Sequence, residues 1–428
     1  MEFEQITQEH TRIAELSRRI GQILVERGDY EQAMHQFRLG LQYLEGIEHK
    51  EVARIYNEIG RVYWSQGKLQ EAQEWTDKAF DLAERLLDPD ELARLLLWAG
   101  KRYFQQGDNR RAEEHWLRSL EISQETGDAI MQAHLYQNLG WHSKVVGDYQ
   151  LALDRLEQGK RLAQQSEDIQ SLSWIDATLG ETYYALGQWD QAIAEFLESL
   201  RFAEQAGERK TSSRVYSFLG DIYRKQGRWT EADECYQRAL AAITATGTPQ
   251  TLFVVHLSLG MINMERKRYA KAKEHLDRCW DIASRGVGYT SRMAAVKGAM
   301  AELALLTGSM EEAEQDAEQA IELANEASVR QELAYGTMVK GMIAARRQAW
   351  DSASEHLEYA RRVFEELGDR YNVGRANAEL AGMRLQRQQE QDRAMAEEHI
   401  LAAREIFTDL GARSELEKLP ALRVPRTT

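Results

Sequence analysis

Arginines, lysines and tryptophans recur in register along this chain of 428 residues. Side chains of those types do recognition chemistry. Arginine grips a carboxylate through two parallel hydrogen bonds, and tryptophan with arginine is the mixture enriched where partners bind tightly. A recurring glycine gives the register. Six residues before it stand Arg54, Arg94, His134, Trp174 and Arg214, and two before it Trp98, Asn138 and Phe218. One after it stand Arg61, Lys101 and Trp141, and four after it Trp64, Phe104, Lys144, Tyr184 and Arg224. A single helical arginine is commonly the partner of a glutamate on its own helix. The column as a set reads as a cationic, aromatic groove. Further along, the same positions turn apolar: Val254, Leu257, Met261, Met264, Leu305, Tyr335, Met338, Met342 and Met383. Methionine adapts to irregular partners. Two readings of this strip stay open, a partner-binding surface or burial inside the array.

Chemistry of other kinds finds no constellation. There is no phosphate-binding GxxxxGK[ST] loop, no HExxH and no CxxC. The dipeptide Glu-His recurs at Glu114-His115, Glu274-His275, Glu355-His356 and Glu398-His399. These fall one repeat or more apart on a face expected to be solvated, whereas catalysis needs such groups to converge. Cys279 takes a small-residue core position, and Cys235 is expected to be partly exposed. The expectation is therefore no enzyme, no metal and no cofactor.

The elements that carry the groove repeat about every forty residues, a period that means a solenoid. Small residues mark it, as in Ala33, Ala72, Ala112, Ala152, Ala192, Ala232, Ala272, Ala313, Ala353 and Ala396. Turn glycines stand five residues earlier in most copies, as in Gly28 and Gly147, and another glycine seven before those, as in Gly21 and Gly140. In residues 214–240, Tyr216, Leu219, Gly220 and Tyr223 form one helical stripe, Gly227 ends that helix, and Ala232, Tyr236 and Ala239 form the next. Helix formers dominate, and the fold class expected is all-α, about ten helix pairs with no strand.

The residues Tyr56, Ile59, Gly60, Tyr63 and Ala72, and likewise Leu179, Gly180, Tyr183, Ala192 and Phe196, resemble the tetratricopeptide repeat. The usual repeat has 34 residues and ends in proline. This one is longer and ends in Gly-Asp or a relative, as in Gly127-Asp128 and Gly368-Asp369. The longer form is similar to repeats of Pins-type adaptors, kinesin light chains and the sensor arms of STAND-class ATPases. The resemblance implies a right-handed α-solenoid whose first helices line a concave groove that binds peptides, proteins or small inducers. Two copies depart from the pattern. The eighth has Ala301 for the glycine and Ala317 for the aromatic, and the tenth has a longer loop at 388–393. One solenoid is expected over residues 1–419, closed by a short helix at 411–419, with 420–428 as a disordered tail.

Composition narrows the partner. With 43% hydrophobic and 29% charged residues the chain reads as soluble, and its net charge of −15 argues against nucleic acid, which needs a basic stripe. Neither a signal sequence nor a membrane span is visible, and 2 cysteines do not make a disulfide framework, so a cytoplasmic setting is expected. The partner expected is a protein or peptide segment with acidic and apolar side chains. Self-association through the methionine strip is an added expectation. The function expected is a scaffold or adaptor; the alternative is the ligand-sensing arm of a bacterial signalling or transcription-regulatory system.

Overall fold

In a computed structural model, residues 2–86, 88–105, 107–243, 249–285, 290–389 and 391–420 are described. Residues 421–428, most of the expected tail, lie outside them. The described residues form helices and no strand. They fall into two compact units, residues 1–171 and 172–428, each taken by itself below.

The first unit holds α1 (Glu2–Glu26), α2 (Tyr30–Tyr43), α3 (Lys50–Ser65), α4 (Leu69–Arg85), α5 (Pro89–Gln105), α6 (Asn109–Thr126), α7 (Ala129–Val146) and α8 (Tyr149–Gln165). The unit boundary falls within α9 (Ile169–Ala185). The second unit continues with α10 (Trp189–Ala206), α11 (Arg209–Lys225), α12 (Trp229–Ile243), α13 (Pro249–Glu265), α14 (Tyr269–Ser284), α15 (Thr290–Thr307) and α16 (Met310–Glu326). Then come α17 (Arg330–Arg346), α18 (Trp350–Glu366), α19 (Arg370–Arg387), α20 (Asp392–Asp409) and α21 (Arg413–Lys418).

Each pair is an antiparallel hairpin held by one close approach. A Cβ built on Gly140 would stand 2.5 Å from Leu156 Cγ, and one on Gly220 would stand 2.5 Å from the Tyr236 ring. Glycine is therefore the socket into which the second helix sets its large side chain, and the buried alanines such as Ala152 and Ala192 keep the crossing tight. The eighth repeat solves the same problem differently. Ala301 and Ala317 are both fully buried, so a small–small contact replaces glycine against an aromatic. The turn is equally constrained: Gly147 has φ +90, a left-handed conformation that glycine adopts at little cost. Asp128 and Asp148 then start the next helices by accepting the backbone N–H of Met131 and Leu151 at 3.0 and 3.1 Å.

The first helix of each pair faces inward. In the first unit α1 touches α3, α3 touches α5 and α5 touches α7; in the second, α11, α13, α15, α17 and α19 touch in sequence. Second helices make no comparable contacts with each other among the described residues, which places the first helices on the inside of the curve.

Within the second unit, the far end of the chain returns to the near end. Tyr371, Ala403, Phe407, Leu410 and Ala412 are buried in one cluster with Trp189, Phe196, Val215 and Leu219. Leu410 lies against the turn at Gly187, and Ser414 of α21 lies against the turn at Gly227. Turn glycines such as Gly28, Gly147 and Gly308 have nothing packed where a Cβ would stand.

Candidate functional site

The inner face of the first unit carries ten of the residues expected to hold a partner. Its arginines arrive already paired. Arg54 Nε is 2.7 Å from Glu91 and its Nη1 is 3.1 Å from Glu51. Arg94 is 3.7 Å from Glu91, and Arg61 Nη1 is 2.7 Å from Glu58. These glutamates are buried, so each ion pair is shielded from water on its acidic side. The spacing was open to view in the sequence, since Glu51, Glu58 and Glu91 each stand three residues before an arginine of the column. Desolvation pushes the Glu91 carboxyl upward and the Arg54 guanidinium beside it pulls downward; burial dominates.

Lys101 differs. It occupies the register position of Arg61 one repeat on, but three residues before it stands Trp98 instead of a glutamate. Its ammonium lies 4.9 Å from the Trp98 ring centroid, and the Arg61 guanidinium lies 4.5 Å from the same ring. Burial, with the neighbouring Arg61 charge, lowers the Lys101 pKa. Trp98 itself remains 37% exposed. Together with Asn57, Trp64, Thr76 and Arg102, these residues line a pocket of about 230 Å³ between α3, α4 and α5. Arg102 is held there by Thr76 Oγ1 at 2.6 Å.

Beyond the pocket the face continues as aromatic surface. Phe104 and Trp141 meet with ring centroids 4.3 Å apart. His134 Nε2 is 3.4 Å from Asp168, yet burial outweighs that carboxylate and lowers the histidine pKa. Asn138 is buried and donates its amide to the His134 carbonyl at 2.6 Å, so it serves its own helix.

In the second unit the expected residues are drawn into packing. Tyr184 donates to Asp221 and its ring lies beneath the Lys225 ammonium, 4.7 Å from the centroid. Phe218 stacks on Phe196. Arg214 Nε is 3.2 Å from buried Glu181, and Trp174 is half-buried. In the methionine strip Val254 is 47% exposed, but the methionines form no exposed surface. Met264, Met338, Met383 and Leu305 are 4%, 0%, 2% and 2% exposed, and Met261 and Met342 pack against the same cores. Met264 sits in a core shared by α13, α14 and α15, and Met338 and Met383 sit in one shared by α17, α18 and α19. Cys235 also differs from expectation: it is buried beside Val215 and Leu219, and its thiol is pushed up to about 11.

Sequence reading missed the polar network across this unit. Arg224 bridges Asp221 and Glu265; Arg375 is 2.6 Å from Glu302, to which Tyr335 also donates. The Lys225 ammonium lies 5.0 Å from the Tyr371 ring centroid, and Tyr371 reaches Glu415 of α21 at 3.4 Å. Only Asp221–Arg224 has local spacing, three residues apart; the other pairs follow no local motif, because their members lie about a repeat or more apart.

The Glu-His dipeptides do not converge. His115 and His356 bond the carbonyls of Arg111 and Ser352 one turn back, His275 meets His256 with Nδ1 atoms 3.1 Å apart, and His399 meets Asn377. Among the described residues no three His, Cys, Asp or Glu side chains are grouped to hold a metal, and no helix is long and apolar enough to cross a membrane.

A tetratricopeptide-repeat family model matches residues 51–115 and 171–245, and a model of anaphase-promoting complex subunit 5 matches residues 256–343. No curated protein matches the sequence. Many solved structures share the fold, two of them as follows. One is the apo form of the quorum sensor NprR from B. thuringiensis, with TM-score 0.57 and 13% identity, covering 82% of this chain and 98% of that one. The other is human IFIT1, a dimer with PPP-AAAA, with TM-score 0.52 and 16% identity, covering 96% of this chain and 92% of that one.

Proposed function

The chain is an α-solenoid of tetratricopeptide repeats, an interaction module, and we propose that it works as a ligand-sensing arm of a bacterial signalling system in the cytoplasm. The ligand is a peptide or protein segment held on the inner face of residues 1–171. One observation carries this reading: that face keeps Trp98 accessible between two cations, with the Phe104–Trp141 pair beside it. Aromatic and cationic side chains left open on one surface favour an acidic, partly apolar segment. NprR, which shares the fold, is a quorum sensor, and this supports sensing over a purely scaffolding role.

Hydrogen exchange on the chain, alone and with whatever co-purifies from its host, tests the reading. Slowed exchange along α3, α5 and α7 is expected. Protection confined to α4, α6 and α8 would place the ligand on the outer face and defeat it.

A further inference from the structure

Three positions of the first helix serve stacking: five and one before the register glycine, and two after it. In α3 they are Ile55, Ile59 and Val62, which are buried in one cluster with Ala33 and Phe37 of α2. Ile55 Cδ1 would stand 2.9 Å from a Cβ built on Gly40 of that helix. In α13 they are Val255, Leu259 and Ile262, buried with Ala232 and Tyr236 of α12. Each set thus packs on the second helix of the hairpin before it. In α1 the same positions hold Leu16, Ile20 and Ile23, and these are 53%, 46% and 52% exposed. Spaced i, i+4 and i+7, they form one stripe along the helix. A terminal repeat ordinarily turns a polar face outward. This one turns out three aliphatic side chains at the positions that elsewhere stack on a helix.

We propose that the α1 stripe docks a second copy of this chain, the two α1 helices crossing antiparallel about a two-fold axis near Ile20. The spacing selects this occupant. Four residues then three reads nearly the same in reverse, so Leu16 meets Ile23 of the other copy and Ile20 meets its own counterpart, as an isologous contact requires. Charge permits it. Arg19, beside the axis, is neutralised on its own helix by Glu15 at 2.5 Å. A head-to-tail stack is closed off. It would seat the stripe on α20, but Ala403, the α20 counterpart of Gly40, is fully buried in the cluster shared with α10 and α11. α21 also packs on α20. A helix of 25 residues is about 37 Å long, and one face of it covers less than the roughly 800 Å² per partner of a standard interface. The pair is therefore expected at micromolar rather than nanomolar concentration. None of the three residues belongs to the inner-face columns, so the inference stands apart from ligand binding.

Sedimentation velocity of the full chain at rising concentration tests this, with a monomer–dimer equilibrium expected. Ile20→Glu places a carboxylate opposite its own copy and should raise the dissociation constant about tenfold or more. Its urea midpoint is expected to stay put, because the side chain is half-exposed. Ile20→Cys should be trapped as a covalent dimer by mild oxidation. Leu197→Cys, equally exposed on α10, should not, and the native Cys235 and Cys279 are buried and give no background. If Ile20→Glu also lowers the urea midpoint, trapping of Ile20→Cys decides. A chain monomeric at every concentration overturns the proposal. So does a dimer that Ile20→Cys fails to trap, or one that a stably folded Ile20→Glu leaves intact. Protection of α1 from hydrogen exchange only by a different protein, with the chain itself monomeric, overturns self-pairing as well.

Discussion

At the scale of single residues, two kinds of side chain set what this molecule tolerates. The first kind is the socket glycine. Gly220 faces the fully buried Tyr236 ring, which has nowhere to go, so Gly220→Ala is expected to cost about 1–3 kcal/mol through overpacking. Urea unfolding of the variant checks this; an unchanged midpoint would mean the hairpin can relax there. The second kind is the buried titratable group. His256 is depressed to about 4 by burial first and then by the facing His275, with Arg278 lowering it further and Glu274 opposing. Above pH 6.5 the side chain is neutral in both the folded and unfolded chain, so it contributes no pH dependence. Between 6.5 and about 4 the unfolded chain takes a proton that the folded chain refuses, so stability falls as pH falls through that window. His256→Asn should flatten the loss in thermal scans across it, though His275, also lowered by burial, keeps a share. Much of the residue-level pattern was legible: the glycine, alanine and aromatic spacing named the core positions because each obeys one steric rule. The arginine partners were legible too, as glutamates three residues back, but an i,i+4 habit of reading helices passes over them.

At the scale of the helix hairpin, the turns separate repeats that follow the rule from those that strain it. Lys267 and Gln348 occupy the turn with φ +57 and +61, where other repeats place glycine. A side chain there costs roughly 1–2 kcal/mol against glycine, less the extra freedom glycine gives the unfolded chain. Lys267→Gly is therefore expected to stabilise by about 0.5–1 kcal/mol. A lowered melting temperature would show that the lysine makes a compensating contact. Helix existence and pairing were readable because the apolar period and the turn glycines agree in nearly every copy. The fate of the methionine column was not. Met338 and Met383 sit at positions that face inward, yet both lie in a core shared by α17, α18 and α19. Which core a side chain joins depends on the neighbouring repeats, which no single repeat encodes.

At the scale of the whole chain, charge and packing divide the work between the units. Residues 1–171 keep aromatic surface and an unbalanced lysine available. Residues 172–428 spend the corresponding positions on themselves, through Tyr184, Phe218 and Lys225 against Tyr371, Phe407 and α21. Removing residues 410–428 should therefore loosen the middle repeats: faster hydrogen exchange is expected in α10 and α11, at the turns of Gly187 and Gly227. Exchange unchanged there would show that α19 and α20 hold the contact without α21. This return contact left no trace in the sequence pattern, since Leu410 and Gly187 are each ordinary for their own repeat. It also bears on how the molecule comes into being. A growing polypeptide presents the repeats around Gly187 and Gly227 long before Leu410 and Ser414 have been translated. For that interval Trp189 lacks its contact with Tyr371, and the turns at Gly187 and Gly227 lack Leu410 and Ser414. The nascent chain thus meets the cell with a sticky, half-finished wall, and a ribosome that stops early leaves it so.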